Sequence, residues 1–325
     1  MSRGGGMRER LAGALAAAGV AWGDVGAYEE LDGGTFNTVF RVRRSGGGAG
    51  IVVKLAPGAD VPVLRYEEGI LGTEAWFYEV VRDGAVGVPT PVALAPATAG
   101  HLVMSECAGR PWSEVGEKMS EEERRLMRGE LGTYVAGLHA LEGDGFGYPA
   151  RSLGPLRGTW REAFLGMVDA ILLDAERFGV ALPRPVDEVR ELFAGHGALL
   201  DEVTVPRLVH FDLWDGNILV EDGHVSALID AERAFWGDPL AEFVSLALFG
   251  DIERDEDFLA GYRAAGGPAV IDEGGRRRLA LYQAYLYLIM WVEVAPRGYD
   301  AGRVEWLRRQ VVEPLGLTLD GWARR

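Results

Sequence analysis

His210-Phe211-Asp212-Leu213-Trp214-Asp215-Gly216-Asn217, followed after a hairpin by Ile229-Asp230, is the stretch on which the reading of this chain turns. Asn217 stands five residues after Asp212, and Asp230 eighteen. Arg207 to Val209 before the loop, and Ile218 to Val220 and Val225 to Ile229 after it, alternate as short strands do. A loop held between strands that offers a carboxylate, an amide oxygen and a second carboxylate suits phosphoryl transfer. That reaction wants a carboxylate beside the attacking hydroxyl and hard oxygen ligands for Mg²⁺. Asp212 is the candidate catalytic carboxylate, Asn217 and Asp230 are the candidate Mg²⁺ ligands, and His210 is expected to organise the loop by hydrogen bonds.

Upstream, the chain is strand-rich. Tyr28 to Leu31 leads through Asp32-Gly33-Gly34 to Thr38 to Val42, and a glycine-rich connection, Ser45 to Gly50, leads to Ile51-Val52-Val53-Lys54-Leu55. Glu67 to Arg82 has the apolar spacing of a helix, and Pro89 and Pro91 precede a further strand at His101 to Met104. Beyond Gly109 the pattern becomes helical. Ser120-Glu121-Glu122-Glu123 is a capping box that starts a helix running to about Leu141, Trp160 to Phe178 repeats the pattern, and helices follow from Leu240. The fold class is therefore α+β, with a nucleotide-binding lobe over 1–106 and a helical lobe over 107–325 carrying the catalytic loop and acceptor site.

The order H-x-D-x-x-x-x-N, I-D, then Trp236-Gly237-Asp238-Pro239-Leu240 resembles the aminoglycoside phosphotransferase and choline kinase superfamily. G-D-P-L stands where protein kinases carry A-P-E, and Phe211 replaces the arginine that senses activation-loop phosphorylation there, which implies a constitutively active enzyme. The resemblance implies a bilobal protein-kinase-like fold, an ATP or GTP donor, and a small-molecule hydroxyl as acceptor. It makes Lys54 the phosphate-binding lysine, paired with Glu74, with Glu67, Glu68 and Glu79 as alternatives. Gly33, Gly34, Thr35 and Asn37 would close over the triphosphate, and Met104, Ser105 and Cys107 form the hinge, where backbone groups of Ser105 and Cys107 would meet a purine edge. His139, in Gly137-Leu138-His139-Ala140-Leu141, is structural in such relatives. Fructosamine kinases resemble the chain in D-L-W-x-G-N but lack W-G-D-P-L, so an antibiotic acceptor ranks first, aminoglycoside, nucleoside, peptide or macrolide, ahead of a metabolic sugar or amino-alcohol. A catalytically dead kinase-like binding protein is the reading from another class; the presence of Lys54, Asp212, Asn217 and Asp230 together argues against it.

Composition sets the outer bounds. A net charge of −16 disfavours nucleic-acid and anionic-membrane partners and suits a cationic acceptor. One cysteine, Cys107, excludes an internal disulfide, so a cytoplasmic enzyme, monomer or homodimer, is expected. The first 22 residues read as an amphipathic helix rather than a signal peptide, because Glu9 interrupts their basic start. Leu281 to Val292 is too short to span a bilayer and reads as a buried helix. Candidate acceptor-pocket residues are Asp169, Asp174 and Glu176 in one helix, or Trp291, Glu293 and Tyr299 near the C-terminus.

Overall fold

The computed structural model describes residues 3–31, 36–58, 60–150 and 152–324; Gly33, Gly34 and Thr35 lie outside the described residues. Four antiparallel strands form the first lobe in the order β1 (Val25–Leu31), β2 (Thr38–Arg44), β3 (Ile51–Leu55) and β4 (His101–Ser105). Side chains alternate across a strand, and here the alternation sets up the chemistry. Ile51, Val53 and Leu55 face outward with Phe40, Val42 and Val103, where α1 (Arg3–Ala17) covers them with Leu11, Ala14 and Leu15. Lys54, paired across the sheet with Val39 and Leu102, consequently faces inward.

Behind the sheet runs α2 (Ile70–Gly84), which buries Leu71, Glu74, Phe77, Tyr78 and Val81 on one face. It starts later than the sequence pattern indicates. Gly69 takes φ 76°, a left-handed conformation that interrupts helical backbone, and Arg65–Glu67 forms a separate 3₁₀ turn.

In the second lobe β5 (Arg110–Pro111), β7 (Ile218–Glu221) and β8 (His224–Leu228) form a sheet in the order β5-β7-β8, and β6 (Arg207–Val209) pairs with β9 (Phe235–Gly237). The β7–β8 turn is Asp222-Gly223 with φ 50° and 80°, a loop whose twist matches the strands it joins. The helices are α3 (Trp112–Val115), α4 (Glu121–Ala140), α5 (Trp160–Phe178), α6 (Val186–Gly195), α7 (Glu242–Leu246), α8 (Glu256–Ala264), α9 (Glu273–Val292), α10 (Val294–Arg297), α11 (Ala301–Leu307) and α12 (Glu313–Ala323). The capping box forms: Ser120 Oγ accepts from the Glu123 N–H at 3.2 Å, and the Glu123 carboxylate accepts from the Ser120 N–H at 2.8 Å. Helices α4 and α8 cross closely at Gly132, where a Cβ would lie 2.2 Å from the Phe258 carbonyl oxygen.

Helix α9 is longer than its apolar run suggested. The stretch Glu273–Arg297 is long and apolar enough to cross a membrane by composition, but 67% of its apolar window is buried inside the protein, as in a core helix. Its Tyr282 hydroxyl accepts from Trp160 Nε1 at 2.8 Å and donates to Asp238 at 2.7 Å. Asp238 also holds Arg278 at 2.9 Å and caps the Leu240 N–H. The G-D-P-L segment is thus a buttress between β9 and α9.

Candidate active site

The loop after β6 is held from beneath. Glu242, buried at the start of α7, accepts the His210 N–H at 2.6 Å and the Phe211 N–H at 3.0 Å, while Ser245 Oγ accepts the Leu213 N–H at 3.1 Å. Phe211 takes φ 63° and is fully buried between Phe235 and Tyr285. A bulky residue adopts that conformation only when packing compensates for it. His210 Nδ1 accepts the Asp212 N–H at 3.3 Å, which leaves Nε2–H to donate to the Ile229 carbonyl at 3.0 Å. Burial pushes its pKa down to about 4, so the ring is a neutral strut between the Asp212 and Asp230 segments. His139 is also buried, held down to about 3, and bonds the Tyr262 hydroxyl at 2.7 Å away from the cleft.

Asn217 Nδ2 donates to the Asp212 carbonyl at 2.8 Å and to its Oδ2 at 3.2 Å, and the Asn217 carbonyl accepts the Ile229 N–H at 3.0 Å. The amide oxygen Oδ1 is then the atom Asn217 can offer a cation. Gly216 is required beneath Trp214, whose ring would lie 2.2 Å from an added Cβ.

Across the cleft, Lys54 Nζ lies 2.7 Å from Glu74 Oε2 and 2.5 Å from Asp230 Oδ1. Among the four glutamates weighed for this contact, Glu74 makes it. Glu68 and Glu79 are exposed, and Glu67 is buried against Arg297 and the Leu64 N–H. Tyr78 completes the link, donating to Glu74 at 2.7 Å and accepting the Asp230 N–H at 3.1 Å. Burial alone would lower the Lys54 pKa, but Asp230 and Glu74 raise it well above the usual lysine value. Lys54 in turn holds Asp230 below the ordinary aspartate range despite its partial burial.

Two residues that follow Asp230 escaped sequence reasoning. Glu232 places a carboxylate oxygen within 4.8 Å of those of Glu74 and Asp230, and burial together with the Asp230 charge lifts its pKa well up. Three carboxylates around one lysine amount to a surplus of hard oxygen donors that fits a divalent cation. Arg233, mostly buried, bridges Asp212 Oδ1 at 3.4 Å and Glu293 Oε2 at 3.1 Å. Burial raises the Asp212 pKa, and Arg233 offsets part of that rise. The signal available was the E-R pair directly after I-D, silent until its partners are known.

Of the loop expected over the triphosphate, Asn37 is described: its Nδ2 donates to Glu232 Oε2 at 3.0 Å. Met104, Ser105 and Cys107 line the cleft, which encloses about 1550 Å³ and also contains Lys54, Asp212, Asn217 and Asp230. At the expected hinge the Ser105 N–H donates to the Val92 carbonyl, and its hydroxyl accepts from the Val92 N–H, both at 2.9 Å. Ser105 therefore has no backbone donor for a purine and can offer its carbonyl.

The acceptor-pocket expectation divides. Asp169 pairs with Arg190 at 2.8 Å, Asp174 is buried under the Arg65 N–H at 2.7 Å, and Glu176 is exposed; none lines the cleft. Trp291 is spent on the Ala181 carbonyl at 2.9 Å. Glu293 and Tyr299 do line the cleft.

A family model described as "Phosphotransferase enzyme family" (APH) matches residues 27–282. A stretch of 83 residues is 37% identical to a Lactiplantibacillus plantarum protein assigned as a ketoamine kinase, covering 26% of this chain and 28% of that protein's length. Among solved structures, one from Thermobifida fusca assigned as a fructosamine-3-kinase superposes with a TM-score of 0.69 at 23% identity, over 97% of this chain and 98% of that one. The gentamicin complex of APH(2")-IIa does so with a TM-score of 0.66 at 16% identity, over 98% of each chain. At those identities the two structures speak for the bilobal kinase-like fold. With the family match extending over most of the length, the chain belongs to the phosphotransferase enzyme family.

Proposed function

We propose that this chain is a cytoplasmic small-molecule kinase that moves the γ-phosphoryl group of ATP or GTP to a hydroxyl of an antibiotic. The observation that carries the reading is one cleft in which Lys54 bridges Glu74 and Asp230 while Asp212 and Asn217 face them. In this reading the oxygen between the β- and γ-phosphorus atoms leaves with the nucleoside diphosphate. A new P–O bond forms to the acceptor oxygen, whose proton passes to the Asp212 carboxylate with no phosphoenzyme between. Asn217 fixes Asp212 by two hydrogen bonds, and Arg233 keeps its carboxylate ionised and aimed. Lys54 binds phosphate oxygens and is itself held charged by Glu74. Asp230 and Asn217, with Glu232 beside them, would hold Mg²⁺, which supplies positive charge to the phosphate oxygens.

A ketoamine acceptor is the second reading, favoured by the 83-residue stretch shared with the ketoamine kinase relative. Both are tested together by following Mg²⁺-dependent nucleoside diphosphate release, with ATP and GTP in parallel, against a panel of antibiotics and fructosamines. The hit should fall by about 10²–10⁴-fold in kcat in Asp212→Ala with nucleotide KM nearly unchanged. An unaltered kcat would remove Asp212 from its assigned role.

A further inference from the structure

Beyond Asp212 the cleft opens against the C-terminal helices. Its floor there is apolar: Leu286 and Met290 of α9, together with Leu246 of α7, line it. Its wall is aromatic. Phe249 meets Trp306 edge to face at 5.3 Å and 89°, and both remain more than a third exposed, 37% and 39%. Arg303 lies over Trp306 at 4.6 Å and over Tyr299 at 5.8 Å.

Phe249 is the informative residue. It sits at φ 63°, a left-handed conformation that a large side chain adopts only under strain. Phe211, in the same conformation, offsets that strain by complete burial. Phe249 stacks on Tyr287 at 6.3 Å and meets Trp306, yet it is not covered and keeps its free face toward the open cleft. A ring held out in this way is useful to whatever stacks on it.

Charge points the same way. The carboxylates around this half of the cleft are met by arginines of the chain itself: Glu293 by Arg233 at 3.1 Å, Asp255 by Arg128 at 2.5 Å, Asp257 by Arg125 at 3.3 Å. Asp215 shares that same Arg128 at 3.9 Å, and Asp251 has Arg254 at 3.7 Å. Glu117 and Glu121, at the rim, have no such partner among the described residues. The acidity of the whole chain is therefore largely neutralised beside Phe249 and Trp306, and a polyamine would find most of its counter-charges there already engaged, with Glu117 and Glu121 left only at the rim.

We infer that the acceptor site takes a hydroxyl compound with an apolar face and at most one positive charge, laid against Phe249 and Trp306, rather than a polyamine. This rests on the phosphotransferase reading above and narrows its acceptor; it also replaces the cationic preference that net charge suggested.

The test uses the full chain with Mg²⁺ and ATP or GTP, and three probes: a macrolide with one amine, an aminonucleoside and a tetra-amine aminoglycoside. Turnover is expected with the macrolide or the aminonucleoside, with kcat/KM changing less than about threefold between about 0.05 and 0.5 M salt. Phe249→Asn, which suits left-handed backbone, should keep the melting temperature. It should raise acceptor KM about tenfold or more and leave nucleotide KM unmoved; Trp306→Ala should do the same to both constants. Preferred turnover of the aminoglycoside with a steep loss in salt overturns the inference, as does an acceptor KM indifferent to both substitutions. Silence with all three probes while Mg²⁺-nucleotide still stabilises the protein overturns the acceptor class alone. Failure to bind nucleotide overturns the phosphotransferase reading itself.

Discussion

Replacing Lys54 by Met should reveal the charge balance of the cleft. Lys54 and Glu74 are almost wholly buried, with side-chain exposures of 7% and 0%. At 2.7 Å and an effective dielectric of about 20, their attraction is of order 6 kcal/mol before desolvation is charged against it. Removing one partner of such a buried pair typically costs about 3–5 kcal/mol, because the other charge is left unpaired. The Asp230 arm, 37% exposed, is screened by water and adds little to that figure. At roughly 2–3 °C per kcal/mol for a chain of this size, the melting temperature should fall by about 6–15 °C. Thermal unfolding with and without Mg²⁺ reads the second half of the argument. Once Lys54 is gone, Glu74, Asp230 and Glu232 have lost their shared cation, so Mg²⁺ should stabilise the variant more than the parent protein. A melting temperature within about 2 °C of the parent, or equal stabilisation of both by Mg²⁺, would refute the compensation argument.

Asp230→Ala should weaken binding of Mg²⁺-nucleotide far more than of nucleotide alone, measured by calorimetry in the presence and absence of Mg²⁺; equal losses would remove Asp230 from the cation. Arg233→Gln takes away the charge that opposes burial at Asp212, so the Asp212 pKa rises further and the acid limb of the kcat–pH profile moves to higher pH, with kcat at neutral pH down about tenfold. An unmoved acid limb would mean that Arg233 only packs. Burial lifts the Glu242 carboxyl from 4.5 to about 7 in the folded protein. A raised acid contributes stability that is complete below pH 4.5 and lost as pH climbs through about 7, so the melting temperature should decline across that window and decline less in Glu242→Gln.

The cleft's central cluster was legible because its members stand close in sequence and in fixed order. Asp212, Asn217 and Asp230 lie on one loop and one hairpin, and the alternation of β3 alone turns Lys54 inward. Glu74 ranks first by its resemblance to the family's spacing, and it makes the contact; Glu67 stands as an alternative because a helical pattern running from Glu67 does not register the left-handed Gly69 that excludes Glu67 from α2. Asp174 misled for the opposite reason: acidic and on an amphipathic helix, it is consumed by the backbone of Arg65. The acceptor side was legible only in part. Glu293 and Tyr299 stood out in the sequence, but Phe249 and Trp306 come from separate segments and share no spacing, and the left-handed backbone at Phe249 is not a property of residue type.

The face of α2 has one more consequence. Leu71, Phe77, Tyr78 and Val81 belong to the same apolar core as the second lobe, together with Leu102 and Met104, whereas α1 and the outward residues of β2 and β3 form a smaller core of their own. The helix carrying Glu74 is thus rooted in the second lobe, and the strand carrying Lys54 belongs to a thinner shell. That shell can breathe as its own cooperative unit, with amide protons that exchange sooner than those of α2 and α9. The Lys54–Glu74 contact is a clasp between the two units, so a nucleotide that engages Lys54 also reports, through that clasp, whether the shell is seated.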